Sequence, residues 1–191
     1  MVQELNTPVR SLPLMIDDRT SATVRASNGA VWRAVTDAVM GGVSVAGLET
    51  AVISGKSCLH LHGKVSLENN GGFLQASLDL AGGDTLDASG YDGIAIEVLG
   101  NGESYKLHLR TGDTHLVWQS YRVTFQALPY WQNLYFPFDS FVPHRIGKPL
   151  NRASLGRLGV VAIGREMQAD VHFSRVALHA CKPNIAITGE R

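Results

Sequence analysis

No segment of the 191-residue chain approaches the roughly 18 consecutive apolar residues of a transmembrane helix. The N-terminal stretch, which carries Glu4, Asp17 and Asp18, has no apolar run of signal-peptide length. Direct membrane insertion is therefore not expected, and a cytoplasmic location is the simplest reading. Neither sign of charge is in excess, with 17 Lys plus Arg against 17 Asp plus Glu. No global field exists to attract nucleic acid or an anionic membrane, so any charge recognition must come from local patches. Cysteine is scarce: Cys58 and Cys181 are the only two, far apart in sequence, and two reduced thiols are expected rather than a disulfide. There is no Gly-x-Ser-x-Gly elbow. Gly100-Asn101-Gly102 leads into a strand pattern rather than a helix, which removes the dinucleotide fingerprint. Hydrolase and oxidoreductase readings rank low, and no catalytic residue or cofactor is assigned.

The chain has instead 45% hydrophobic residues, enough for a substantial core, in a length that suits one domain over 1–191. Their spacing has a period of two. Leu59 and Leu61 alternate with His60 and His62; Ile94, Ile96 and Val98 alternate with Ala95 and Glu97; Tyr105, Leu107 and Leu109 alternate with Lys106, His108 and Arg110. Tyr121-Val123-Phe125 and Leu134-Phe136 continue the pattern, and 158–163 and 171–178 read as late strands. The last run shifts parity near Ser174-Arg175, which predicts a bulge. Turn clusters separate the runs at Ser27-Asn28-Gly29, Gly82-Gly83-Asp84, Gly100-Asn101-Gly102 and Thr111-Gly112-Asp113. Only 152–158 suits a helical turn. Roughly ten or more short strands with such turns predict an all-β fold, an antiparallel β-sandwich or jelly roll. The first ten residues and the tail after Cys181 are the segments expected to fray.

Two polar loops stand out. The first is Thr36-Asp37-Ala38-Val39-Met40-Gly41-Gly42-Val43-Ser44 and the second Val65-Ser66-Leu67-Glu68-Asn69-Asn70-Gly71-Gly72-Phe73. Paired glycines permit positive φ and close approach of another surface. Asp37, Ser44, Glu68, Asn69 and Asn70 beside them can hold turns by bonding backbone N–H groups. They can equally present acceptors to a sugar, a peptide or a partner protein if the two loops meet at one rim. A second candidate is a sheet face. With Tyr105, Leu107 and Leu109 directed inward, Lys106, His108 and Arg110 point out, and the same logic places Arg122, Thr124 and Gln126 outside. Trp131, Asn133 and Tyr135 add rings to that surface if their strand joins the same sheet, and Trp118 falls in a loop where it serves as lid or core plug. An Arg fork beside flat rings suits a carboxylate, a phosphate or a sugar. Such a face is otherwise simply solvated.

His60 and His62 are two apart on a strand and share a direction, which supplies two metal ligands. No third ligand follows at a characteristic spacing, so no metal is assigned. Calcium bound by Asp and backbone oxygens, as in some jelly rolls, carries no EF-hand signature here.

Several of these segments occur together in one family. The segment 32–44, the stretch 65–73, Tyr91-Asp92-Gly93-Ile94, Tyr105-Lys106-Leu107-His108-Leu109-Arg110-Thr111 and Trp131-Gln132 followed by Phe136-Pro137-Phe138 stand in the order found in the complex I intermediate-associated protein family. The chain resembles that family over residues 16–178, with Asp37, Gly41, Gly42, Ser44, Gly71 and Gly72 inside the shared motifs. The resemblance implies a galactose-binding-like β-sandwich. For the mitochondrial members, typified by the thirty-kilodalton assembly factor, it implies a non-enzymatic part in assembling respiratory complex I, with protein partners among respiratory-complex subunits. This chain has no Arg-rich presequence and looks like a free-standing bacterial relative. The expectation is a non-catalytic interaction or assembly module, with a carbohydrate-binding or other small-ligand module second and an unrecognised enzyme third. The binding candidates are Asp37, Gly41, Gly42, Ser44, Glu68, Asn69, Asn70, Arg110, Trp118, Arg122 and Trp131.

Overall fold

A strand with an apolar residue at every second position has one face to bury, and two sheets of such strands can bury each other's. Twelve strands do so in the computed structural model, which describes residues 12–180. They are β1 (Leu14–Asp17), β2 (Arg33–Thr36), β3 (Val45–Ile53), β4 (Lys56–Val65), β5 (Phe73–Asp79), β6 (Gly93–Gly100), β7 (Ser104–Thr111), β8 (Ser120–Gln126), β9 (Gln132–Pro137), β10 (Val142–His144), β11 (Leu155–Ile163) and β12 (Met167–His179). The first sheet has the order β3-β4-β12-β6-β9, with β1 also on β12; the second has the order β10-β8-β7-β11-β5-β2. Every pairing between these strands is antiparallel. The helical content of the described residues is four short 3-10 turns, one of them Arg152–Ser154, where the sequence suggested a helical turn. The termini expected to fray lie outside the described residues, as does Cys181, while Cys58 is free and buried.

The alternating positions face inward. Leu59 and Leu61 from β4, Ile94 and Ile96 from β6, and Leu107 and Leu109 from β7 are almost completely shielded and belong to one cluster between the sheets. Trp32 joins them, its ring 4.9 Å from that of Phe173. The indole N–H donates to Asp17 Oδ2 at 2.8 Å, and the same oxygen accepts from Arg19 Nη1 at 2.8 Å. Arg19 also donates to the carbonyls of Ser21, Thr23 and Arg25, so this buried charge is hydrogen-bonded on several sides.

The predicted bulge is present and has a topological consequence. The β12–β6 register shifts between Phe173 and Val176. The other edge of β12 is shared: β4 pairs with Met167 to Phe173, and β1 pairs with Val176 to Leu178. The parity change at Ser174-Arg175 thus falls where one neighbour hands over to another. Four strands escape the alternation rule. β1, β2 and β10 are three or four residues long, and β3 is an edge strand with no fully buried residue.

Candidate functional site

The two glycine loops meet at the carboxylate of Asp37. Asp37 opens a 3-10 turn after β2, capped by the Thr36 hydroxyl accepting from Ala38 N, and its side chain turns inward to complete burial. Oδ1 accepts from Ser44 N at 2.9 Å; Oδ2 accepts from Ser44 Oγ at 2.5 Å, Gly72 N at 2.6 Å and Phe73 N at 3.3 Å. Burial pushes the Asp37 carboxyl up, but the Ser44 hydroxyl and the backbone N–H groups of Gly72, Ser44 and Phe73 outweigh it, holding the carboxyl below its usual range. Each glycine pair divides its labour. Gly41 (φ 88°) and Gly72 (φ 129°) adopt positive φ. Gly42 and Gly71 permit contact: a Cβ on Gly42 would stand 2.3 Å from Asp37 Cγ, and one on Gly71 would stand 2.5 Å from Oδ2.

Asp37 and Ser44 are therefore buried and fully engaged, which makes them positioning residues. Glu68, Asn69 and Asn70 stay exposed; Asn69 Nδ2 donates to the Gly41 carbonyl at 3.3 Å and so ties the second loop to the first. Asn69 and Asn70 both adopt left-handed backbone, with φ 55° and 57°, a conformation Asn tolerates better than most residues. The locked first loop projects Val39 and Met40, 74% and 56% exposed, toward the outer face of the second sheet.

A cleft of about 410 Å³ lies on that face. Alternation along β7, β8 and β11 directs Arg110, Arg122 and Arg157 into it, with His108 between them; Arg122 faces His108 across β8–β7, and Arg110 faces Arg157 across β7–β11. Phe73, Gln75 and Val161 line it from β5 and β11, and Val39, Met40, Val117 and Trp118 form its sides. None of its lining residues is Asp or Glu. The cationic groups feel this imbalance. Burial, then Arg157, pushes Arg110 below its ordinary value, and burial, then Arg145, does the same to Arg122. Burial, followed by Arg122, Lys106 and His144, pushes His108 down to about 3, so its ring is neutral at physiological pH. His108 Nε2 and Arg110 Nε are buried without a hydrogen-bond partner.

The arginines differ in task. Arg110 Nη2 donates to the carbonyls of Thr114 and Leu116, at 3.0 and 3.1 Å, and so braces the β7–β8 loop that carries Trp118. Gln119 completes the brace by accepting from the N–H groups of His115 and Leu116 and donating to the Arg145 carbonyl. Arg122 engages Ser120 Oγ through Nε at 2.8 Å. Trp118 is 48% exposed and lines the cleft, so it is not a core plug.

The rings of β9 do not join this surface, because β9 pairs with β6 in the first sheet. Trp131 lies there under the Lys56 ammonium, 4.8 Å from the ring centroid, and Lys56 also pairs with Glu97. Sequence reasoning missed Arg157, Val39 and Met40. Arg157 falls in 152–158, the segment expected to form a helical turn, whereas β11 already begins at Leu155, so its outward direction could not be read from the expected strand 158–163; the position of the loop pair depends on Asp37 reaching across to β5.

Known proteins resemble this architecture. The family 11 carbohydrate-binding module of a cellulosomal cellulase from Clostridium thermocellum superposes with a TM-score of 0.72 at 10% identity, covering 89% of this chain and 95% of that one. The family 11 module from the same organism in complex with a β-1,3-1,4-mixed-linked tetrasaccharide gives 0.70 at 12% identity, covering 91% and 97%. A family 30 carbohydrate-binding module gives 0.66 at 16% identity, covering 94% and 93%. These likenesses establish a jelly-roll, galactose-binding-like fold. Among curated proteins, none matches the chain in sequence. The sequence model described as complex I intermediate-associated protein 30 matches residues 21–170, and the chain belongs to that family.

Proposed function

We propose that this protein is a non-catalytic binding module of the assembly-factor kind, which holds a segment of a partner protein in the basic cleft of its second sheet. The observation that carries this reading is the convergence of Arg110, Arg122 and Arg157 on a cleft without a carboxylate, walled by exposed aliphatic side chains. Guanidinium groups in a partly desolvated cleft favour an anionic or acceptor-rich ligand, and arginine forks match carboxylates in two-point contacts. Val39, Met40 and Val117 beside them suit the apolar side chains of a polypeptide. The ligand that satisfies both is a protein segment carrying acidic and apolar residues, and subunits of respiratory NADH:ubiquinone oxidoreductase are the partners the family supports. A carbohydrate on the same face is the second reading, favoured by the fold shared with carbohydrate-binding modules and by one exposed indole, Trp118.

Affinity capture from the native host with the wild-type chain, Arg122→Ala and Trp118→Ala tests the assignment. Arg122 is the cleaner basic probe because Arg110 also supports a loop. Recovery of a protein partner by the wild type and its loss from both variants is expected. Equal recovery by all three places the interaction elsewhere, and saturable binding of neutral glucans without a protein partner transfers the cleft to the carbohydrate reading.

A further inference from the structure

Three histidines and two carboxylates gather on the outer face of the first sheet, on the opposite side of the sandwich from the cleft. Because Leu59 and Leu61 face the core, His60 and His62 of β4 face out. Antiparallel pairing then sets His172 of β12 opposite His60 and Asp170 opposite His62, while β3 sets Glu49 opposite His60 and Gly47 opposite His62. The missing glycine side chain leaves room for a ring: a Cβ at residue 47 would stand 2.4 Å from His62 Cε1.

We propose that this patch binds a divalent transition-metal ion of the zinc class, with His60, His172 and Asp170 as protein ligands. His60 Nε2 lies 2.8 Å from Asp170 Oδ1, and His172 Nδ1 lies 4.0 Å from the same oxygen. The ligand atoms of this triad lie within 4.8 Å of one another. Ligand distances of roughly 2.0–2.2 Å to zinc allow donors to be about 4 Å apart at most, so binding requires a small inward rotation. Asp170, whose side chain is 51% exposed, is free to make it. The His60 and His172 rings are stacked, 4.1 Å apart and 7° from parallel, so the rings also turn toward a shared ion. His172 Nδ1 is buried and has no hydrogen-bond partner, although its side chain is only 12% exposed and sits beside a carboxylate. On the far side of His60, the exposed Glu49 Oε1 lies 3.6 Å from Nδ1, from where a small side-chain movement would let it accept from that nitrogen and orient the ligating ring. Mixed imidazole and carboxylate donors suit zinc, copper or nickel better than magnesium. The ion would tie β4 to β12, independently of the cleft.

The test uses the full chain freed of any purification tag, stripped with chelator and titrated with zinc chloride against a chromogenic chelator. One saturable equivalent is expected, with a rise in melting temperature that magnesium chloride does not reproduce. His60→Ala and the exposed-site variant Asp170→Asn should each weaken zinc binding more than tenfold, while His115→Ala, on the β7–β8 loop, leaves it unchanged. Circular dichroism of each variant confirms the fold. Absence of saturable zinc binding in the wild type, or equal binding by the wild type and both ligand variants, overturns the site.

Discussion

Asp37 illustrates how a residue in a recognition-like loop acts through position. Asp37→Asn would turn an amide N–H₂ toward donors that the carboxylate now accepts from, leaving buried N–H groups of Ser44, Gly72 or Phe73 unsatisfied. The expected loss at neutral pH is about 2–4 kcal/mol, read by urea melts. The folded pKa of Asp37 lies below the ordinary 3.8, so its contribution is present above that value and fades as pH falls through the lower folded one. The difference between wild type and Asp37→Asn should therefore narrow below about pH 3.8. His108 works over a different interval. Its pKa moves from 6.5 to about 3 on folding, so below 6.5 the unfolded chain takes up a proton that the folded chain refuses. Above pH 6.5 the ring is neutral in both states and carries no pH-dependent penalty, and stability falls as the pH drops from 6.5 toward 3. By pH 5 this costs about 2 kcal/mol, and His108→Gln should remove that part of the pH dependence in melts compared at pH 7 and 5.

The β7–β8 loop is the element on which the cleft depends. It bears Val117 and Trp118 and has no strand pairing of its own; Arg110 and Gln119 hold it by bonds to its backbone. Arg110→Ala should increase amide hydrogen exchange in residues 114–119 while leaving the protection of β7 and β11 close to that of the wild type, as expected for local rather than global opening. Uniform loss of protection would instead identify Arg110 as a support of the sheet. The binding variants divide accordingly: Arg110→Ala mixes loop mobility with loss of charge, whereas Arg122→Ala reports on charge. Arg122→Lys should recover only part of the binding lost in Arg122→Ala if the partner's carboxylate engages the fork at two points.

At the level of the whole molecule, charges sum to zero but are unevenly placed. The cleft collects arginines without a carboxylate, while the opposite face collects histidines with Asp170 and Glu49. Partner binding through the cleft should weaken several-fold between about 50 mM and 300 mM salt, because screening acts on local fields irrespective of net charge. Surface plasmon resonance with the captured partner measures this, and salt-independent affinity would argue for an apolar contact alone. The sandwich itself depends on the buried Asp17–Arg19 pair beside Trp32. Arg19→Met strands a carboxylate in the interior and is expected to cost about 3–5 kcal/mol in denaturant melts.

The sequence by itself determined the all-β class, the inward and outward faces of β4, β6, β7 and β8, the bulge at Ser174-Arg175 and the family, but not the edge strand β3 or β5. Each is written locally, since a half-buried strand exposes its period of two to any reader and a parity change marks an extra residue. It also determined that the two loops needed their glycines, although their motif suited a turn and a binding rim equally. Tertiary structure decided between sheet partners, because alternation is the same whichever sheet a strand joins. It sent β9 and Trp131 to β6, away from Arg110 and Arg122. It turned Asp37 inward to join loops 35 residues apart. It also placed His172 and Asp170, more than a hundred positions along the chain, opposite His60 and His62. Short edge strands such as β1, β2 and β10 were equally beyond local reading, since strands of three or four residues are too brief to display a period and are defined by the neighbour whose backbone groups they satisfy.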